Sequence, residues 1–98
     1  MKPIEVVKQL KEKGILVIRP AGNSMTPLIQ SKQQVTITTN ENEYKKGDIV
    51  FAKVKGRYYI HLISAIQNER YQISNNHGHV NGWTTKDKIF GKVTKIEN

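Results

Sequence analysis

The sequence predicts a mainly β domain, small and folded over or barrel-like, with one short helix at its N-terminus. Three observations lead there. Helical spacing of apolar residues is confined to residues 3–13. Short β-branched and aromatic runs recur from residue 15 to residue 96, separated by Gly, Asn and Pro, as in small β structures. A chain of 98 residues suits a single domain, 1–98, with a modest core.

The helix comes first. Pro3 fits a first turn, Ile4, Val7 and Leu10 recur at helical spacing with Val6 beside them, and Gly14 suits the stop. Its lysines are expected to face water. Ile15 to Arg19 then reads as a short strand, and Pro20 to Pro27 as irregular chain. Gln34 to Thr39 alternates like a half-buried strand, and Asn40 to Gly47 reads as a loop closing on a Gly47-Asp48 turn. Ile49 to Val54 and Tyr58 to Ile66 form a hairpin about Lys55-Gly56-Arg57. Asn68-Glu69-Arg70 reads as a further hairpin turn before a short strand, Arg70 to Ser74. Asn75 to Lys88 reads as a long polar loop carrying Gly78, Gly82 and Trp83, with Trp83 a candidate to line a groove. Ile89 to Ile96 closes the chain as a strand with Val93 and Ile96 buried. The count is one helix and about six strands. No repeat, linker or low-complexity stretch interrupts it.

Composition narrows the chemistry. There is no cysteine, which removes thiolate catalysis and disulfides. No apolar run approaches the ~20 residues of a membrane helix, and the N-terminus lacks the apolar core of a secretion signal. The expectation is a cytoplasmic protein without membrane insertion. Sixteen basic residues against eight acidic ones leave a net charge of +8. Such a charge suits a polyanion such as nucleic acid, or simply a lysine-rich solvated surface. Tyr58, Tyr59, Tyr71 and Trp83 with Arg57 and Arg70 are the residues that would stack on a single strand. His77 and His79 are two apart, but without cysteine or a nearby acidic ligand they read as a solvated loop. No metal and no cofactor is expected.

Gly22-Asn23-Ser24-Met25-Thr26-Pro27 is the segment with most chemical content. Gly22 permits a tight approach and Pro27 fixes one backbone angle. A serine between them can present its hydroxyl on a rigid turn, with backbone N–H groups near a developing oxyanion. Alone, the string is also compatible with an ordinary loop. His61 lies mid-strand in Tyr58-Tyr59-Ile60-His61-Leu62-Ile63 and shares a face with Tyr59 and Ile63. That face can bring a ring nitrogen to a serine hydroxyl, although a strand histidine is more often structural.

The order Gly-x-Ser-Met-x-Pro, then Gly47-Asp48-Ile49-Val50, then an aromatic and aliphatic strand carrying a base resembles the type I signal peptidases. Without the proline it is similar to the LexA-like self-cleaving repressors of the same superfamily. The resemblance spans about residues 18 to 96. It implies a LexA or signal-peptidase fold and a serine peptidase. Ser24 falls on the nucleophile, Met25 on the methionine packed beneath it, and Gly47 and Asp48 on the structural turn. Gly22 and Asn23 fall beside the oxyanion. His61 falls where the bacterial enzymes carry lysine and the microsomal and archaeal-like branch carries histidine. In that branch a Gly-Asp-Asn-Asn segment precedes a supporting aspartate. Here Asn75-Asn76 matches the asparagine pair, and Asn81 occupies the aspartate's place. The next acidic residue, Asp87, is too far along.

Two functions follow from the resemblance. One is a peptidase acting through a Ser24–His61 dyad on an extended peptide. The other is a relic of the fold that binds a peptide, a protein or nucleic acid, as suits a phage or mobile-element setting. LexA-like self-cleavage at Ala21-Gly22 is not expected, because that pair lies too close to Ser24 to fold back into the site.

Overall fold

A computed structural model describes residues 2–39 and 43–97. Helix α1 runs Pro3–Lys13, with Pro3 in its first turn. Gly14 ends it in the left-handed conformation (φ 76°), where its N–H donates to Leu10 O at 2.8 Å. Val6, Val7 and Leu10 form the buried stripe, and Lys2, Lys8, Lys11 and Lys13 face solvent. Ile4, expected on that stripe, is 61 % exposed. The helix meets the sheet through the face that Val6 and Leu10 share, which turns Ile4 outward.

Seven strands follow: β1 Ile15–Ile18, β2 Val35–Thr38, β3 Ile49–Val54, β4 Arg57–Gln67, β5 Arg70–Ser74, β6 Val80–Thr85 and β7 Ile89–Ile96. They form one antiparallel sheet in the order β1-β2-β7-β3-β4-β5-β6. The sheet folds over. Thr84 on β6 donates to Lys53 O on β3 at 2.8 Å, although β4 and β5 separate those strands in the hydrogen-bonded order.

The mainly β expectation with one N-terminal helix is met, with corrections of detail. Residues 75–88 are not one loop, because β6 crosses the middle of that stretch and carries Trp83. Its β pattern is masked by Asn81 and Gly82, and pairing with β5 supplies the hydrogen bonds that propensity did not promise. Val93 and Ile96 are half-buried at the margin of the helix-covered core, and Ile89 is the buried apolar side chain of β7. The first hairpin turn is shorter than expected. Lys55 (φ 51°) and Gly56 (φ 82°) form it, and Arg57 already pairs with Val54. Asn68 (φ 50°) and Glu69 (φ 63°) repeat that geometry, with Arg70 paired to Gln67. Two consecutive positive φ values match the twist of the flanking strands. The Asn40–Gly47 loop expectation lies partly outside the described residues.

Two apolar clusters occupy the two faces. One joins α1 to the sheet through Val6, Val7, Leu10, Val35, Ile37 and Phe51, with Met25 and Ile29 from the β1–β2 connection. The other lies inside the fold-over, between Val50, Val54, Ile63, Tyr71, Ile73 and Ile89. The Gly47-Asp48 turn is pinned to β4: Gly47 N–H donates to Ile63 O at 2.8 Å and Ile63 N–H to Asp48 O at 2.9 Å. The Asp48 carboxylate accepts from Lys45 N–H at 2.9 Å and pairs with Lys92 at 3.8 Å.

Candidate active site

Ser24 sits on an exposed turn between β1 and β2. The turn is built locally by Thr26, whose N–H and hydroxyl both donate to Asn23 O, at 3.2 and 2.9 Å. The Thr26-Pro27 peptide is cis. Met25 is buried in the helix-side cluster and so anchors the turn. Gly22 N–H is taken by Ser31 Oγ at 3.0 Å, and Lys32 N–H by Pro20 O at 2.7 Å. These bonds close the long connection onto itself.

His61 comes from the middle of β4 and is 7 % exposed. Its ring stacks on Tyr59, with centroids 4.9 Å apart and planes at 28°. Nε2 lies 3.0 Å from Ser24 Oγ, across 37 residues of sequence. Nδ1 lies 2.6 Å from Asn81 Oδ1. An amide oxygen only accepts, so Nδ1 carries the hydrogen and Nε2 is left as the acceptor facing the hydroxyl. Burial lowers the His61 pKa from the ordinary 6.5, the Asn81 bond opposes this, and nearby His79 adds to the lowering.

Asn81 reaches the ring because β6 bulges there. Ile73 pairs with Gly82 and Ser74 with Val80, so Asn81 is the extra residue. Such a bulge re-aims a side chain. Gly82, at φ 142°, accommodates the irregular backbone, and a Cβ there would meet Val54 and Lys55 side chains at 3.1 Å.

Two residues that the sequence left without a role hold the serine turn from across the molecule. Asn76 N–H donates to Ser24 O at 2.9 Å, and its side-chain amide to Thr26 O at 3.0 Å. His77 Nε2 lies 3.0 Å from Asn23 O and 3.1 Å from Thr26 Oγ1. Asn75 shapes this β5–β6 loop, its Oδ1 accepting from His77 N–H at 2.8 Å and His79 N–H at 2.9 Å. The Asn75-Asn76 pair was the signal available for this clamp.

The other nominated residues lie apart from the ring. Asp87 is exposed on a 3-10 turn, Lys86–Lys88, bonded to the Thr85 hydroxyl. Gly47 and Asp48 support the start of β3. Trp83 is half-buried on β6 and does not line the cavity beside Ser24. Among the described residues, no three His, Cys, Asp or Glu gather as a metal-binding group. No described helix is long and apolar enough to cross a membrane.

A hydroxyl, an imidazole and an amide in a row, carried by a folded-over antiparallel sheet with one helix, define a peptidase-type domain. The family described as Peptidase S24-like matches residues 3–94, and the chain belongs to that family. Comparison with curated proteins and with solved structures gives no match.

Proposed function

We propose that the chain is a serine peptidase domain in which Ser24 is the nucleophile and His61 its general base. The 3.0 Å contact between Ser24 Oγ and His61 Nε2 carries this reading. Ser24 Oγ adds to the carbonyl carbon of a peptide, and its proton passes to His61 Nε2. The tetrahedral oxyanion is assigned to backbone N–H groups at Ser24 and Met25, on a turn shaped by Gly22 and Asn23. Collapse breaks the C–N bond, and His61 returns the proton to the leaving amine. Water, deprotonated by the same nitrogen, then hydrolyses the acyl ester.

Asn81 fixes the tautomer that this sequence needs. It lacks the charge that an aspartate would supply to the imidazolium. In the best-studied serine protease, the same loss costs about 10⁴ in rate, so a slow enzyme is the expectation. The substrate is a peptide or protein lying extended along a strand edge. The reading keeps the domain in the cytoplasm, with no cofactor.

A fluorophosphonate probe tests this. The expected result is labelling at Ser24, abolished in Ser24→Ala and slowed about 10²-fold or more in His61→Ala. Both variants should remain folded. Absence of labelling from roughly pH 6 to 9, with His61→Ala indistinguishable from the parent, leaves the chain a binding module of the same fold.

A further inference from the structure

A cavity of about 410 Å³ opens beside Ser24 and His61. Six side chains from five parts of the chain form its walls: Val6 of α1, Ile18 of β1, Met25 and Ile29 of the serine connection, Phe51 of β3 and Tyr58 of β4. Phe51 and Tyr58 stack, with centroids 5.7 Å apart and planes at 17°. No charged residue lines the cavity, although the chain carries 16 basic and 8 acidic ones. Its polar side chains are the serine, the histidine and tyrosine hydroxyls. Water held in such a space finds few partners.

From this geometry we infer that the subsite beside the nucleophile takes a bulky apolar side chain, of the leucine or phenylalanine kind, next to the scissile bond. This rests on the peptidase reading and gives it a substrate class. Size carries the argument. A methyl group is about as large as a water molecule, whose share of volume is about 30 Å³, so an alanine side chain leaves most of the cavity unfilled. Unfilled apolar space forfeits contacts that a larger side chain makes. Continuity with the site fixes the occupant. Ser24 and His61 stand in the wall itself, so a peptide placed for attack directs a neighbouring side chain inward. Helix α1 gives the site this depth, because Val6 forms part of the wall while belonging to the core that docks the helix.

The test separates recognition from chemistry. Folded Ser24→Ala protein is titrated with two acetylated, amidated tetrapeptides that differ only in leucine or alanine at one internal position. The expected result is about 10-fold or greater preference for leucine, with methyl NMR shifts concentrated at Val6, Met25 and Ile29. Equal affinity, or shifts elsewhere, overturns the inference. Ala21→Phe, at an exposed position on the cavity rim, is expected to lower the leucine-to-alanine ratio, and an unchanged ratio counts against the assignment. Wild-type protein is then treated with diphenyl phosphonates bearing leucine or alanine side chains. Faster labelling by the leucine probe agrees with the inference, and faster labelling by the alanine probe overturns it while leaving the peptidase reading intact. If neither phosphonate nor fluorophosphonate reacts, the peptidase reading fails, and the titration still decides what the cavity holds.

Discussion

In the proposed mechanism the reactivity of Ser24 depends on which nitrogen of His61 is free, and an amide at residue 81 sets that. Oδ1 of Asn81 takes the Nδ1 hydrogen at 2.6 Å and leaves Nε2 open toward the hydroxyl. A carboxylate there would keep the same tautomer and add charge stabilisation. Asn81→Asp is therefore expected to raise the fluorophosphonate labelling rate by about 10-fold or more, whereas Asn81→Ala lowers it. A slower Asn81→Asp enzyme that stays folded would count against the acceptor role. Burial places the His61 pKa below 6.5, so the ring is neutral and basic at pH 7. The labelling rate should rise with pH through an ionisation below that value and level off by neutrality. In Asn81→Asp, the midpoint should move upward, because an anion favours the imidazolium.

At the scale of elements, bulges and crossings position the site more than regular strands do. The bulge in β6 aims Asn81, and the β5–β6 loop grips the serine turn about fifty residues away in sequence. His77 is exposed, so its loss removes little packing. His77→Ala is expected to slow Ser24 labelling several-fold while changing stability by less than about 1 kcal/mol, read from paired labelling and urea denaturation. Gly91 in β7 serves the sheet instead. A Cβ there would sit 2.8 Å from Ile37 Cγ2 and 2.9 Å from Thr38 O. Backbone cannot retreat as a flexible side chain can, so Gly91→Ala should destabilise by about 1–3 kcal/mol or more, seen as a lower urea midpoint.

At the scale of the whole molecule, two apolar clusters lie on opposite faces of one curled sheet, and the catalytic candidates draw on both. Met25 and His61 show the division. The methionine is sunk in the helix-side cluster, and the histidine shares its face with Ile63 of the other. The buried ring also couples folding to pH. Its native pKa is lowered, so the unfolded chain binds more protons between that value and 6.5. Its contribution to stability is fully present above 6.5 and is lost as pH falls through the native value. Relative to His61→Gln, the parent should therefore lose stability on acidification across that window, as followed by thermal denaturation. A parallel decline in both proteins would show that the ring is not coupled to folding.

Much of this was legible in one dimension, because it depends on neighbouring residues. Pro3, the buried stripe and Gly14 define α1 with local physics alone. Lys55-Gly56 and Asn68-Glu69 mark hairpins in the same way, although their exact lengths needed the register. The Gly-x-Ser-Met-x-Pro string and the Tyr58–Ile63 strand, in order about Gly-Asp-Ile-Val, pointed to Ser24 and His61 through resemblance. What tertiary structure alone decided are relations between distant segments. Strand β6 was hidden because its pairing partner stabilises it more than its own alternation does. The outward turn of Ile4 depends on how the helix docks. The grip of Asn76 and His77 on the serine turn, and the apolar chamber walled by α1, exist only once the sheet has folded over. Hydrogen bonds and cavities of this kind have no local pattern to read, since their energy depends on which groups meet rather than on which groups follow one another.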